Sequence, residues 1–143
     1  MYPYERLAAW REAYQLTLAT YRATSAFPKH ELYGLTSQAR RAAVSVIANI
    51  AEGSAKRGNR ELRRYLDIAL GSMAELNCLL RLGGDLGYMP VADATSLDTL
   101  RKRSGYLLWR LYQSIGKNGR ATATDLYRPS PTSTDGAGYT EIL

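Results

Sequence analysis

In 143 residues the chain has a single cysteine, Cys78, and a single histidine, His30. One cysteine excludes an intramolecular disulfide framework and fits a reducing compartment. Its setting in Leu76-Asn77-Cys78-Leu79-Leu80 suits a packed, unreactive thiol. One histidine excludes the carboxylate-bridged di-metal centre of some helical bundles, which needs two Glu-x-x-His pairs. A Ser-His-Asp or Cys-His site would have to recruit His30 and Cys78 from different elements, and His30 reads as a solvated loop residue. No run approaches the ~20 apolar residues that span a bilayer, and the opening residues lack an apolar signal core. The expectation is a cytoplasmic protein with no membrane partner. Gly71, Gly83 and Gly84 follow no strand and lead to no Gly-Lys-Ser/Thr, so they form no phosphate loop. Gly71 suits the close approach of another helix. No segment alternates with β period, and no residue pattern calls for a cofactor.

What is present is helical periodicity. A hydrophobic content of 45% supplies a core at single-domain length. Leu7, Trp10, Tyr14, Thr17/Leu18 and Tyr21 recur every three or four residues, which predicts a helix over 3–24. Phe27-Pro28 stops it. With Thr36 as N-cap, a second helix runs to about 55, its inner face Leu35, Ala39, Ala42/Ala43, Val46 and Ile50. Gly53 and Gly58 bracket its end. Asn59 caps a third over 60–86, with Leu62, Tyr65/Leu66, Ala69, Met73, Leu76 and Leu80 inward. A fourth starts at Asp93 or Ser96, carries Leu97, Leu100, Leu107/Leu108, Leu111 and Ile115, and closes at Gly116 and Gly119. Long helices with short links predict an all-α, antiparallel up-down-up-down four-helix bundle over residues 1–117. Thr, Ser, Pro and Gly replace the pattern afterwards, so 118–143 reads as a flexible tail.

Charge is the second signal. Nineteen Lys/Arg face thirteen Asp/Glu, and residues 56–64 alone hold five cations against one Glu, +4 of a total of +6. Lys56, Arg57, Arg60, Arg63 and Arg64 therefore gather at the turn between the second and third helices. Arg101, Lys102 and Arg103 form a second cluster on the fourth helix, which Arg110 and Lys117 extend. Arginine outnumbers lysine fifteen to four, and its planar fork suits bidentate phosphate contacts. Tyr65 and Tyr106 offer stacking faces beside these clusters. Such arginines also serve simply as a solvated surface, and such tyrosines also fit a core. With no recognition helix, zinc finger or RNA-binding sheet in the pattern, binding would be to phosphates and shape.

Two carboxylates, Glu52 and Glu75, fall at or beside the apolar stripes, three residues after Asn49 and Ser72. A buried carboxylate needs a cation or several donors. Arg40, Arg41, Asn49, Glu52 and Glu75 are therefore expected to form a structural polar network. Acid–base chemistry by the glutamate pair has no accompanying nucleophile or pocket signal, and the chain reads as non-enzymatic.

Several blocks together carry a resemblance: Leu7-Ala8-Ala9-Trp10, Glu31-Leu32-Tyr33-Gly34-Leu35, Gln38-Ala39-Arg40-Arg41-Ala42-Ala43, Asn49-Ile50-Ala51-Glu52-Gly53 and Ala69-Leu70-Gly71-Ser72-Met73-Ala74-Glu75-Leu76. Over about residues 4–117 the chain resembles the bacterial four-helix-bundle family encoded in intervening sequences of 23S ribosomal RNA genes. That family is similar in fold to the accessory variability protein of diversity-generating retroelements, a basic homopentameric barrel that binds nucleic acid and a reverse transcriptase. The resemblance implies a homo-oligomer, a pentamer, that binds RNA or DNA. It also implies an alternative, an adaptor that docks a reverse transcriptase. Arg40, Arg41, Asn49, Glu52 and Glu75 carry over by position as bundle architecture.

Overall fold

The computed structural model describes residues 1–116. A 3-10 turn, Pro3–Arg6, leads into α1 (Ala8–Thr24), and a second, Lys29–Glu31, into α2 (Leu35–Ser54). The last two helices among the described residues are α3 (Asn59–Asp85) and α4 (Val91–Ser114). No strand occurs among the described residues. Each helix packs on its sequence neighbours and α4 closes against α1, while the diagonal pairs stay out of backbone range. That square of antiparallel rods is the expected four-helix bundle. The tail expected at 118–143 lies outside the described residues, as does Lys117.

The inner stripes of α2, α3 and α4 are as the periodicity predicts. Ala39, Ala43, Val46 and Ile50 meet Leu66, Ala69, Met73 and Leu76 with almost no exposure, and Leu97, Leu108 and Ile115 complete the core. The small side chains of α2 let α3 approach closely. A Cβ added at Gly53 would stand 2.7 Å from Tyr65 Cβ and 3.2 Å from Leu62 Cδ1.

On α1 the buried face is turned from the predicted stripe by about one residue, roughly 100°. Ala9, Ala13, Leu16, Thr17, Thr20 and Thr24 are buried, whereas Tyr14 and Tyr21 are exposed and Trp10 is half-buried. Threonine can face inward here because each hydroxyl donates one turn back. Thr17 bonds Ala13 O at 2.8 Å, Thr20 bonds Leu16 O at 2.8 Å, and Thr24 bonds Thr20 O at 2.7 Å. A hydroxyl satisfied in this way carries little desolvation penalty, so shape rather than hydropathy selects the face.

Three helix starts differ from the predicted caps. α2 begins one residue before Thr36, behind Gly34, and Glu31 Oε1 accepts the Leu35 amide at 3.5 Å. Gly58, not Asn59, holds the N-cap position of α3, with φ +85° and ψ 154°, a region open essentially to glycine. Pro90 precedes α4, so that helix starts at Val91, before Asp93 and Ser96. Cys78 is exposed rather than packed. It follows the buried Leu76 by two residues, about 200° around the helix.

Candidate nucleic-acid interface

The turn at 55–58 joins two helix ends with opposite electrostatic character. Lys56 and Arg57 follow the C-terminal end of α2, where the helix dipole favours cations, whereas Arg60 sits in the first turn of α3, where it disfavours them. The amides at that helix start also point at any anion placed there. Lys56, Arg57 and Arg60 are exposed, and among the described residues none has a carboxylate partner. Arg64 is also exposed but engaged. It bonds Glu61 at 3.3 Å and lies 4.6 Å over the Tyr65 ring. The hydrogen bond and charge of Glu61 raise its pKa further. Lys56 Nζ stands 5.6 Å from the same ring, so Tyr65 already serves two cations and is not a free stacking face.

Arg63, expected among the phosphate contacts, has a different role. Its Nη1 donates to Tyr112 O at 2.9 Å and to Ile115 O, and its guanidinium lies 3.9 Å over the Tyr112 ring. The last carbonyls of α4 lack intrahelical donors, and a cation at that end answers both their lone pairs and the dipole. Arg63 is a clasp between the start of α3 and the end of α4.

The second cluster is paired within its own chain, three cations sharing two carboxylates. Arg101 pairs with Asp98 and donates to Asn77 O at 3.1 Å, and Lys102 reaches Asp98 at 3.0 Å. Arg103 crosses to Glu12 on α1 at 3.0 Å. Burial opposes ionisation of Asp98, but the hydrogen bonds from Lys102 and Arg101, with their charges, outweigh it and hold the carboxyl below its ordinary value. Arg110 lies 5.9 Å over the Tyr106 ring. The Asp98/Arg101/Lys102 spacing of three and four residues is an ion-pair pattern on any helix, so part of this pairing was readable in the sequence. The reach of Arg103 to Glu12 was not.

The expected polar network divides into separate pieces. Arg40 caps the end of α1: Nε donates to Thr24 Oγ1 at 2.9 Å, Nη2 donates to Tyr21 O and Ser25 Oγ at 3.3 Å, and the guanidinium covers the Tyr21 ring. Asn49 Nδ2 donates to Ser45 O at 2.8 Å, and the Ser45 and Ser72 hydroxyls meet at 2.8 Å between α2 and α3. Glu52 accepts from Tyr65 Oη at 3.4 Å. Arg41, Glu52 and Glu75 are exposed, and no hydrogen bond or ion pair among the described residues joins Arg40 or Arg41 to either glutamate. With both carboxylates in water, the need for a cation disappears. Arg41 and Glu75 both line an open depression of about 980 Å³ with Tyr33 and Gln38.

No group of three or more His, Cys, Asp or Glu among the described residues is placed to hold a metal. No described helix is long and apolar enough to cross a membrane. A family model described as 23S rRNA-intervening sequence protein matches residues 5–109, from the opening 3-10 turn into the last turns of α4. The chain belongs to the 23S rRNA-intervening sequence protein family. No curated protein matches it. The span that this family covers contains both cationic clusters, the Arg40 cap and the Ser45–Ser72 bridge, and ends just before the Tyr112 and Ile115 carbonyls that Arg63 holds.

Proposed function

We propose that this member of the 23S rRNA-intervening sequence protein family is a non-enzymatic, cytoplasmic homo-oligomer that binds RNA or DNA through phosphate contacts. The observation that carries the reading is the corner of Lys56, Arg57 and Arg60, exposed and without carboxylate partners among the described residues. Guanidinium and ammonium groups left in this state are ready to displace counterions from a phosphate chain. Arg63, Arg101, Lys102 and Arg103 stand outside the proposed contact set because the chain's own acceptors hold them.

The test is titration of the full chain against labelled RNA and DNA across a salt series. The logarithm of affinity should fall linearly with the logarithm of salt, with a slope of about 0.7–0.9 for each phosphate neutralised. Changing Lys56, Arg57 and Arg60 to Glu should lower affinity on the order of 100-fold at moderate salt and leave helical content intact. Salt-independent binding, or none at low ionic strength, overturns the reading.

Self-association draws support from the outer face of α2 and α3. Val44 and Ile68 are exposed there, and Gly71 has open space where a side chain would stand. Among the described residues no helix uses the close approach that Gly71 allows. We assign that approach to a second copy and, following the family resemblance, propose five subunits. Light-scattering mass of the wild type and of a Gly71→Glu variant tests this, a monomeric mass for the wild type being the contrary result.

A further inference from the structure

Four aromatic rings run in contact along one end of the molecule. Tyr2 and Tyr4 stack at 5.8 Å and 5°, Tyr4 meets Trp10 at 4.6 Å, and Trp10 stacks on Tyr14 at 4.9 Å and 18°. Trp10 only edges the core, Tyr14 is exposed, and Tyr2 is 68% exposed. No other ring or cation among the described residues covers Tyr2 or Tyr14. The turn that carries the first two rings is braced: the Tyr2 amide donates to Glu5 Oε2 at 2.6 Å, and Arg11 Nη1 donates to Glu5 O at 2.9 Å. The ladder is therefore two stacked pairs joined by a Tyr4–Trp10 contact tilted at 54°, with its two terminal rings facing water.

The antiparallel register brings this ladder to the basic corner. Thr17 of α1 bonds Ala43 O of α2, Gly53 of α2 packs on Leu62 of α3, and Arg63 of α3 holds Tyr112 O of α4. The start of α1, the end of α2, the start of α3 and the end of α4 thus share one end of the bundle, and the Pro3–Arg6 turn touches both α1 and α2. Arg6 in that turn is exposed and, like Arg57 and Arg60, has no carboxylate partner among the described residues.

We propose that this end of the bundle selects single-stranded nucleic acid, unpaired bases extending the aromatic ladder from Tyr2 and Tyr14 while phosphates run over Arg6, Arg57 and Arg60. The inference rests on the phosphate-binding reading above and adds strandedness to it. Every base has a π-face, so stacking on aromatic side chains tolerates any sequence. In a duplex those faces are already covered by neighbouring bases, and the ladder gains nothing.

The experiment compares full-length wild type with a Tyr2→Ala/Tyr14→Ala variant, sparing the half-buried Trp10. The probes are labelled RNA and DNA single strands of about 12 nucleotides, duplexes of the same length, and an abasic strand with equal phosphates. Wild type should prefer the single strands to the duplex and to the abasic strand. The variant should lose roughly 30-fold or more in single-strand affinity, keep the salt slope, and bind duplex and abasic strands unchanged. Tyr2→Phe/Tyr14→Phe should restore the preference. Equal affinity for based and abasic strands overturns the stacking inference and leaves phosphate binding standing, whereas no binding to any probe overturns both. A change of oligomeric mass in the Ala variant, with single-strand affinity unaltered, assigns the ladder to a subunit contact and also overturns the inference.

Discussion

The two cationic clusters look alike as strings of residues and differ as physical objects. Residues 56–64 and 101–103 both concentrate Lys and Arg on helix surfaces. On α4, Asp98 lies one turn before Arg101 and Lys102, and Glu12 of α1 faces Arg103. At the corner Arg64 takes Glu61, Glu52 accepts from Tyr65 instead, and no carboxylate among the described residues pairs with Lys56, Arg57 or Arg60. Surface ion pairs contribute little to stability, but they decide whether a cation's charge is already spoken for. Density of positive charge in a sequence therefore overstates a binding surface until its carboxylates are placed.

The sharpest way to break this comparison is charge reversal. Lys56→Glu/Arg57→Glu/Arg60→Glu should lower affinity for RNA on the order of 100-fold at moderate salt, whereas Lys102→Ala/Arg103→Ala should leave it within about two-fold. Equal losses in fluorescence anisotropy titrations would show the second cluster to be as open as the first. Within the corner itself, Arg63 and Arg60 should separate by stability rather than binding. Arg63→Ala removes charge-assisted bonds to the end of α4 and should lower unfolding free energy by about 2 kcal/mol. Arg60→Ala, on an exposed side chain without partners, should fall within about 0.5 kcal/mol. Denaturant melts of both variants read the difference.

Backbone geometry at the corner gives a comparable but smaller effect. Gly53→Ala forces a methyl against Tyr65 Cβ, which has no flexible end to move aside. A destabilisation of about 1–2 kcal/mol is expected from such overpacking. Gly58→Ala adds a side chain where nothing lies within 4 Å but φ is +85°, and should lose about 1 kcal/mol to strain alone. A Gly58→Ala variant as stable as wild type would show that the turn relaxes to another conformation.

The smallest effect is the titration of Asp98. Its folded pKa lies below the ordinary carboxyl value, so its contribution is present above that value and is lost as pH falls through the folded one. Stability should therefore decline below about pH 4 more steeply in wild type than in Asp98→Asn, with the corner cations unaffected. Parallel pH profiles for the two proteins would remove Asp98 from the account.

Much of the fold was legible because three of the four stripes are strongly apolar. Leu66, Met73, Leu76 and Leu108 leave one face to bury, and all four are fully buried. α1 was misread because its large residues are amphipathic aromatics and its inner face is alanine and threonine. Trp10 and Tyr14 look like core by hydropathy, but the narrow gap beside the alanine-rich α2 admits Ala13 and Thr17 instead. The same substitution of shape for hydropathy released the rings that build the aromatic ladder. The polar network divided for a different reason: Glu52 and Glu75 border the stripes of α2 and α3, and with those stripes buried as predicted both carboxylates lie on the solvent side.

From its own order of residues the chain settled the number of helices, their antiparallel alternation, the apolar faces of α2, α3 and α4, and the turn where its cations crowd. Those are local quantities, set by periodicity and by the intervals between breakers. Only packing across helices decided which arginines remain available, because Glu12 is 91 positions before Arg103 and the Tyr112 carbonyl 49 after Arg63 in the chain. Pairing over such separations is fixed by where the rods come to lie, and no window of sequence contains it.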